Sequence, residues 1–198
     1  MNSSATVRRM GPKGSDIWHS MLDAAEQILC EDGYGGLTSR SVAERIGVKQ
    51  RLVYYYFRTM DELIVETFQR LAEREIKRLE RAAEADGALT EVWNIYLDTT
   101  DTRLVSEFMA LANRIEPLRL EVKKFVEQSR DLQVRVLSMA MEGCAEPGER
   151  QMPAIAAAIF ATSAALAMHR EAGIGITSGH QEVKACIADF IARLGDTA

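Results

Sequence analysis

Residues 37–57, LTSRSVAERIGVKQRLVYYYF, read as a short helix, a tight turn and a second short helix ending in aromatics. Thr38 is a side-chain type that caps free helix amides, and Leu37 and Val42 are spaced as a hydrophobic staple around it. Val42, Ala43 and Ile46 then fall on an inward face, with Arg40, Glu44 and Arg45 outward. Gly47 supplies a turn at positive φ, where a side chain is penalised, and Val48 plugs the angle between the helices. The second helix spans about Lys49 to Tyr55. Val53 and Phe57 anchor it, leaving Lys49, Gln50, Arg51, Leu52 and Tyr55 outward. Arg40, Arg45, Lys49, Arg51 and Arg58 face a single acid in this stretch, Glu44. A two-helix unit with a basic exposed face has the form that enters a DNA major groove.

The chain as a whole opposes that sign, with a formal net charge of -5 over 198 residues. Distribution therefore matters more than the sum. The excess of acid lies beyond residue 70, whereas positions 1–14 carry Arg8, Arg9 and Lys13 and no acid. Charge is focused where phosphates would be met. A hydrophobic content of 47% is enough for a sizeable core, and only 4 prolines favour an all-α chain. Cys30, Cys144 and Cys186 lack CxxC spacing, which speaks for a reducing compartment and against a disulfide framework or zinc site. Cys144, beside Gly143, is the thiol to consider for reactivity, against the plainer reading of an inert one. The amino terminus shows no apolar leader, so a cytoplasmic protein is expected. The uncharged run Met152–Met168 is short and alanine-rich for a membrane span and fits a buried interface helix better.

Working outward, residues 1–14 lack periodicity and read as a flexible basic arm, either an ordinary terminus or a segment that tracks the DNA backbone. A first helix starts at Ser15 or Asp16 and carries Ile17, Met21, Leu22, Ala25, Ile28 and Leu29 on one face until Gly33. Together with 37–57 it makes a helix-turn-helix domain over 15–58. The remainder, 59–198, reads as a larger helical domain. Thr59 and Glu62 form a capping box at the head of a long amphipathic helix from Met60 to about Ala83. Further helices are expected near 89–99, 102–115, 117–141, 153–172 and 180–194.

Thr38, Val42-Ala43, Gly47-Val48, the block Tyr54-Tyr55-Tyr56-Phe57 and Leu63, with the first helix and Gly33-Tyr34, resemble the TetR family of bacterial regulators. The resemblance covers about residues 15–63. It implies a helix-turn-helix head on a larger helical domain that binds ligand and dimerises. It also implies roles by position: Arg40, Gln50, Arg51, Leu52 and Tyr55 at base edges, and Thr38, Tyr54, Tyr56 and Arg58 at phosphates. The residue types suit this, since Arg pairs guanine, Gln pairs adenine and a leucine meets thymine methyls. Packing within the head is an equal alternative for Tyr54. Lys49 adds a further cation to this DNA-binding set. Three positions depart from the family pattern. Lys49 replaces a capping residue, Arg51 a small one, and Met60 a lysine, so the operator sequence is expected to be this chain's own.

In the larger domain the resemblance implies a ligand cavity. Trp93, Tyr96, Phe108, Met109 and Phe125 are candidate lining, with Asn113 and Gln128 as polar selectors, although ordinary core is open to each. Ala154, Ala158, Thr162 and Leu166 recur every four positions and let a second helix approach closely. Paired with Val183, Ile187, Phe190, Ile191 and Leu194, they predict a four-helix interface in a twofold homodimer. No nucleophile motif, phosphate loop or metal-ligand spacing is present, so neither catalysis nor a cofactor is expected. These expectations combine into a ligand-responsive DNA-binding transcriptional regulator, a repressor released from a palindromic operator by a small apolar effector. The alternatives are an activator, or an all-helical small-molecule-binding protein with a helix-turn-helix head.

Overall fold

A computed structural model of the chain describes residues 12–97, 99–142 and 152–195, and the side chains of these except 99–103 and 195. Arg8, Arg9 and Cys144 lie outside the described residues. Among those described, all regular structure is helical: α1 Asp16–Asp32, α2 Ser39–Arg45, α3 Gln50–Tyr56, α4 Met60–Ala83, α5 Ala88–Leu97, α6 Thr99–Leu111, α7 Glu116–Glu142, α8 Ala154–Gly173 and α9 His180–Gly195. The all-α class and the helix-turn-helix head expected from the sequence are both present.

Helix ends follow the local chemistry. Ser15 caps α1 by accepting from the Trp18 amide at 3.3 Å, and Gly33 ends that helix at φ 68°. Thr38 caps α2 by accepting from the Ser41 amide, while Ser41 Oγ accepts in return from the Thr38 amide at 2.9 Å. Gly47 adopts φ 70°, and the Val48 amide closes the turn on the Ala43 carbonyl at 2.9 Å. At α4 the Glu62 amide donates to Thr59 Oγ1 at 3.1 Å, but the Glu62 carboxylate reaches one residue further back, to the Arg58 amide at 2.7 Å. The extended Glu62 side chain thus holds the residue that joins head and long helix.

The chain divides into two compact units, residues 1–70 with 107–121, and residues 71–106 with 122–198. In the first, Met21, Leu22, Ala25, Ile28, Leu29, Val42, Val53 and Phe57 make the core, as the periodicity predicts. One expectation is corrected: Ile17 is 39% exposed, and its neighbour Trp18 is buried instead, stacked on Phe57 at a centroid distance of 6.4 Å. Ile17 lies in the first turn of α1, where a helix has neighbours on fewer sides, and the larger indole takes the inward position. Phe68 of α4 and Phe108 of α6 are both fully buried, 5.2 Å apart. Arg70 bridges α4 to α1 through Asp23 and Glu26, each at 2.8 Å. In the second unit Leu79, Ala82, Val92 and Leu132 form one cluster, and Trp93, Ala165 and Met168 form another.

Candidate functional site

Two places hold the predicted site residues, the surface of α2 and α3 and a cavity in the second unit. On α3 and just beyond its ends, Arg51, Lys49 and Arg58 are exposed, and none makes an ion pair among the described residues. The other two bases of this stretch are engaged. Arg40 donates to Glu44 at 2.8 Å, an exposed pair one helical turn apart, and the hydrogen bond and charge of Glu44 raise its pKa further. Arg45 turns back to α1 and meets Glu31 at 2.6 Å. The free positive charge of the head therefore resides at the start and end of α3.

A hydroxyl-centred network fixes α3 against α2. Gln50 Nε2 donates to Ser39 Oγ at 2.8 Å, and Ser39 Oγ donates to the Tyr54 hydroxyl at 3.0 Å. Ser39 is buried, and nothing in the local sequence pattern marks it beyond its place at the first position of α2. Only the spacing of Ser39 and Tyr54 across the turn could have revealed it. Gln50 is exposed and keeps spare hydrogen-bonding capacity, as a carboxamide offers two donors and two acceptor lone pairs. Tyr54 and Tyr55 are 37% and 40% exposed, Leu52 is half-buried, and Thr38 is exposed with its hydroxyl engaged in capping. Tyr56 is buried, packed edge-on against Tyr55, with its hydroxyl accepting from Ser15 at 3.3 Å. Lys49 makes no side-chain cap to α3, in keeping with the absence of an acceptor on an ammonium. Lys13, at the edge of the basic arm, is held by Glu66 at 2.6 Å and lies over the Trp18 ring.

In the second unit a cavity of about 420 Å³ opens among α5, α7, α8 and α9. Trp93 and Tyr96 line it, as do Ala158, Thr162, Val183, Ile187, Phe190 and Ile191, which the sequence pattern assigns to a dimer interface. Phe108, Met109 and Asn113 belong to the first unit instead, and Phe125 and Gln128 are not among the lining residues. Phe108 is core, Met109 is 36% exposed, and Asn113 and Gln128 are exposed. Of the remaining interface candidates, Leu194 is buried, whereas Ala154 and Leu166 are half-buried. The exposed apolar side chains of α8 are their neighbours Ile155, Ile159 and Phe160.

Gln133 of α7 is the lining residue that sequence reasoning missed, because a buried glutamine on a long helix looks like any surface one. Its Nε2 donates to the Tyr96 hydroxyl, and its Oε1 accepts from Thr162 at 3.0 Å. Burial is the main cause that pushes the Tyr96 hydroxyl up to about 12, so it stays neutral. His169 Nε2 donates to the Tyr96 carbonyl at 2.9 Å, and His180 meets Glu171 at 2.8 Å, so both histidines have structural partners. No group of metal-ligating side chains occurs among the described residues, and no described helix is long and apolar enough to cross a membrane.

This architecture has known relatives. A transcriptional regulator from Rhodococcus sp. Rha1 superposes at a TM-score of 0.69 with 18% identity, covering 91% of this chain and 95% of its own. A transcriptional regulator from Saccharomonospora viridis, solved in complex with choline, gives 0.76 at 13% identity, with 88% and 95% covered. A TetR transcription regulator from Haloarcula marismortui gives 0.73 at 16% identity, with 89% and 97% covered. At these identities the likeness establishes the fold. The sequence itself matches the model of bacterial regulatory proteins of the tetR family over residues 21–67, which run from α1 through the helix-turn-helix into α4. Over that segment the chain carries the amino-terminal, helix-turn-helix DNA-binding domain of the TetR family of bacterial regulatory proteins.

Proposed function

We propose that this protein is a homodimeric repressor that leaves a palindromic operator when a small apolar effector fills the cavity of the second unit. The observation that carries the proposal is the pairing of opposite surfaces in one chain: cations at α3 and its ends with no ion pair among the described residues, and a cavity among α5, α7, α8 and α9 whose described lining carries no charge. Lys49, Arg51 and Arg58 contact phosphates or guanine edges, while Gln50 and Tyr55 reach bases from the same helix. Thr38, Tyr54 and the rim of Tyr56 add hydroxyls near the backbone, and Arg40 reads a base once it leaves Glu44. In a twofold dimer two such helices enter successive major grooves about 34–36 Å apart. The exposed Ile155, Ile159 and Phe160 of α8, with α9, supply the apolar surface for the second copy.

The effector acts through α4. Val92 lines the cavity and packs with Leu79 of α4 in one cluster, so a ligand pressing on Val92 biases the helix that continues to the head. An effector shifts the equilibrium only by its differential affinity for the two arrangements of the heads.

Fluorescence anisotropy with the DNA upstream of the protein's own coding region tests the reading. Tight binding that weakens steeply with salt is expected. Equal affinity for that DNA and for random duplex, at every salt concentration, defeats it. Light scattering in solution gives the oligomeric state, and Phe160→Glu is expected to yield monomers.

A further inference from the structure

The effector reading leaves the chemistry of the ligand open, and the cavity wall narrows it. Among the described residues, no Asp, Glu, Lys, Arg or His lines the cavity. Its polar groups are few, and the central ones hold each other. Gln133 donates to Tyr96, the Thr162 hydroxyl is shared between Gln133 Oε1 at 3.0 Å and the Ala158 carbonyl at 2.9 Å, and Ser129, buried beside them, donates to the Phe125 carbonyl at 2.8 Å. Tyr96 is neutral at any ordinary pH. A charged ligand entering here would lose its hydration with no countercharge on the described wall, a penalty that grows steeply with burial. The charges felt at Tyr96, those of Glu75 and Arg130, lie outside the lining and oppose each other.

The hydrogen-bond inventory of Gln133 is only half used within the protein. Its carboxamide has two N–H donors and two acceptor lone pairs. One N–H goes to Tyr96 and one lone pair takes Thr162, which leaves one donor and one acceptor position for the cavity it lines. Anchoring from α5 and α8 fixes the carboxamide plane, so these positions are pre-oriented. Ligand pockets commonly combine apolar walls with a small number of placed polar groups, and volumes of about 300–1,000 Å³ are usual.

We propose that the ligand class of this cavity is a neutral, largely hydrocarbon molecule carrying one carbonyl or hydroxyl oxygen, and that Gln133 is the residue that selects for that oxygen. This rests on the cavity being the effector site. The spare N–H of Gln133 meets a ketone, and the pair of spare positions suits an alcohol. A pure hydrocarbon of the same shape leaves both unmet, and an anion or a cation meets no opposite charge.

Calorimetric titration of the full chain with four molecules built on one ring system tests this: acetonaphthone, ethylnaphthalene, naphthoate and trimethylnaphthylammonium. The ketone is expected to bind about fivefold or more tightly than the hydrocarbon, the return on about one net hydrogen bond. Both ions are expected to bind at least about tenfold more weakly than the ketone. Gln133→Met keeps an unbranched side chain of similar length and is expected to erase the preference for the ketone while retaining ethylnaphthalene binding. Thr162→Val, which frees the carboxamide to rotate, is expected to reduce the preference and supplies a second variant if the first does not fold. Naphthoate or the ammonium binding as tightly as the ketone overturns the proposal. So does an undiminished ketone preference in a folded Gln133 or Thr162 variant, and so does the failure of every neutral compound to bind. The effector reading fails separately, if the ketone binds as described and DNA affinity does not change.

Discussion

The two functional regions of this molecule solve opposite problems with the same kind of element. In the proposed function the surface of α3 meets a highly charged polymer in water, and Lys49, Arg51 and Arg58 there are exposed and unpaired among the described residues. In the same reading the cavity holds a small molecule away from water, and among the described residues its wall carries no ionisable side chain other than Tyr96 and Cys186. Both rely on a buried polar hub, Ser39 in the head and Gln133 in the second unit. The hub in each case spends its hydrogen bonds on neighbouring helices and keeps a fixed geometry. The difference teaches that affinity on α3 comes from charge and geometry from the hub, whereas in the cavity the hub supplies both polarity and placement.

The largest expected effect separates the two by salt. Replacing Lys49, Arg51 and Arg58 together by Ala is expected to lower the salt slope of DNA binding by roughly three units for each head, since each lost phosphate contact removes about 0.9. Ligand binding in the same variant is expected to keep its affinity from low to high salt. A slope that does not change breaks the assignment of free charge to α3.

The second effect concerns the cavity in alkali. The Tyr96 hydroxyl in the folded chain is raised to about 12 from the ordinary 10.0. Between those values the folded state holds a proton that the unfolded state has released. Stability from this group is therefore fully present below pH 10 and falls as pH rises toward 12, by a total on the order of 2 kcal/mol. Absorbance titration at alkaline pH is expected to show a late tyrosine step near pH 12. Tyr96→Phe is expected to remove that late step.

A smaller effect belongs to the head. Lys49→Ser restores a side-chain acceptor at the N-cap of α3 and is expected to raise the free energy of unfolding by about 1 kcal/mol in urea. It also removes a cation, so DNA affinity is expected to fall while stability rises. The two readouts moving together would contradict the placement of Lys49.

The smallest expected change is at the exposed Arg40–Glu44 pair. Glu44→Gln is expected to leave the unfolding midpoint where it is, because screened surface pairs contribute little. DNA binding at low salt is expected to tighten, as Arg40 no longer has an internal partner. Unchanged DNA binding would place Arg40 away from the duplex.

Much of the head was legible before the structure. Thr38, Gly47, Val53 and Phe57 act locally, through a cap, a positive φ and helical spacing, and each sits as those rules require. The exception, Ile17 exposed in place of Trp18, arises where a helix end has room for two candidates and packing chooses the larger. The cavity was less legible. Trp93 and Tyr96 were visible as bulky residues on one helix, but Phe108 looks the same in sequence and fills the core beside Phe68.

Local chemistry along the chain thus determined the helices, their ends, the family and the basic face of α3, because each depends on residues within a turn or two of one another. Tertiary structure alone decided which cations remain free, since Arg45 is taken up by Glu31 of α1 and Arg40 by Glu44. It also decided that residues 107–121 fall in one compact unit with the head and the start of α4, and that α8 gives Ala158 and Thr162 to a cavity while leaving Ile155 and Ile159 outside. An alanine-rich helix has small residues on every side, so its own periodicity carries little record of which side is filled. Gln133 shows the same limit most sharply. Its role depends on Tyr96 and Thr162, 37 and 29 residues away, and no local pattern encodes that meeting.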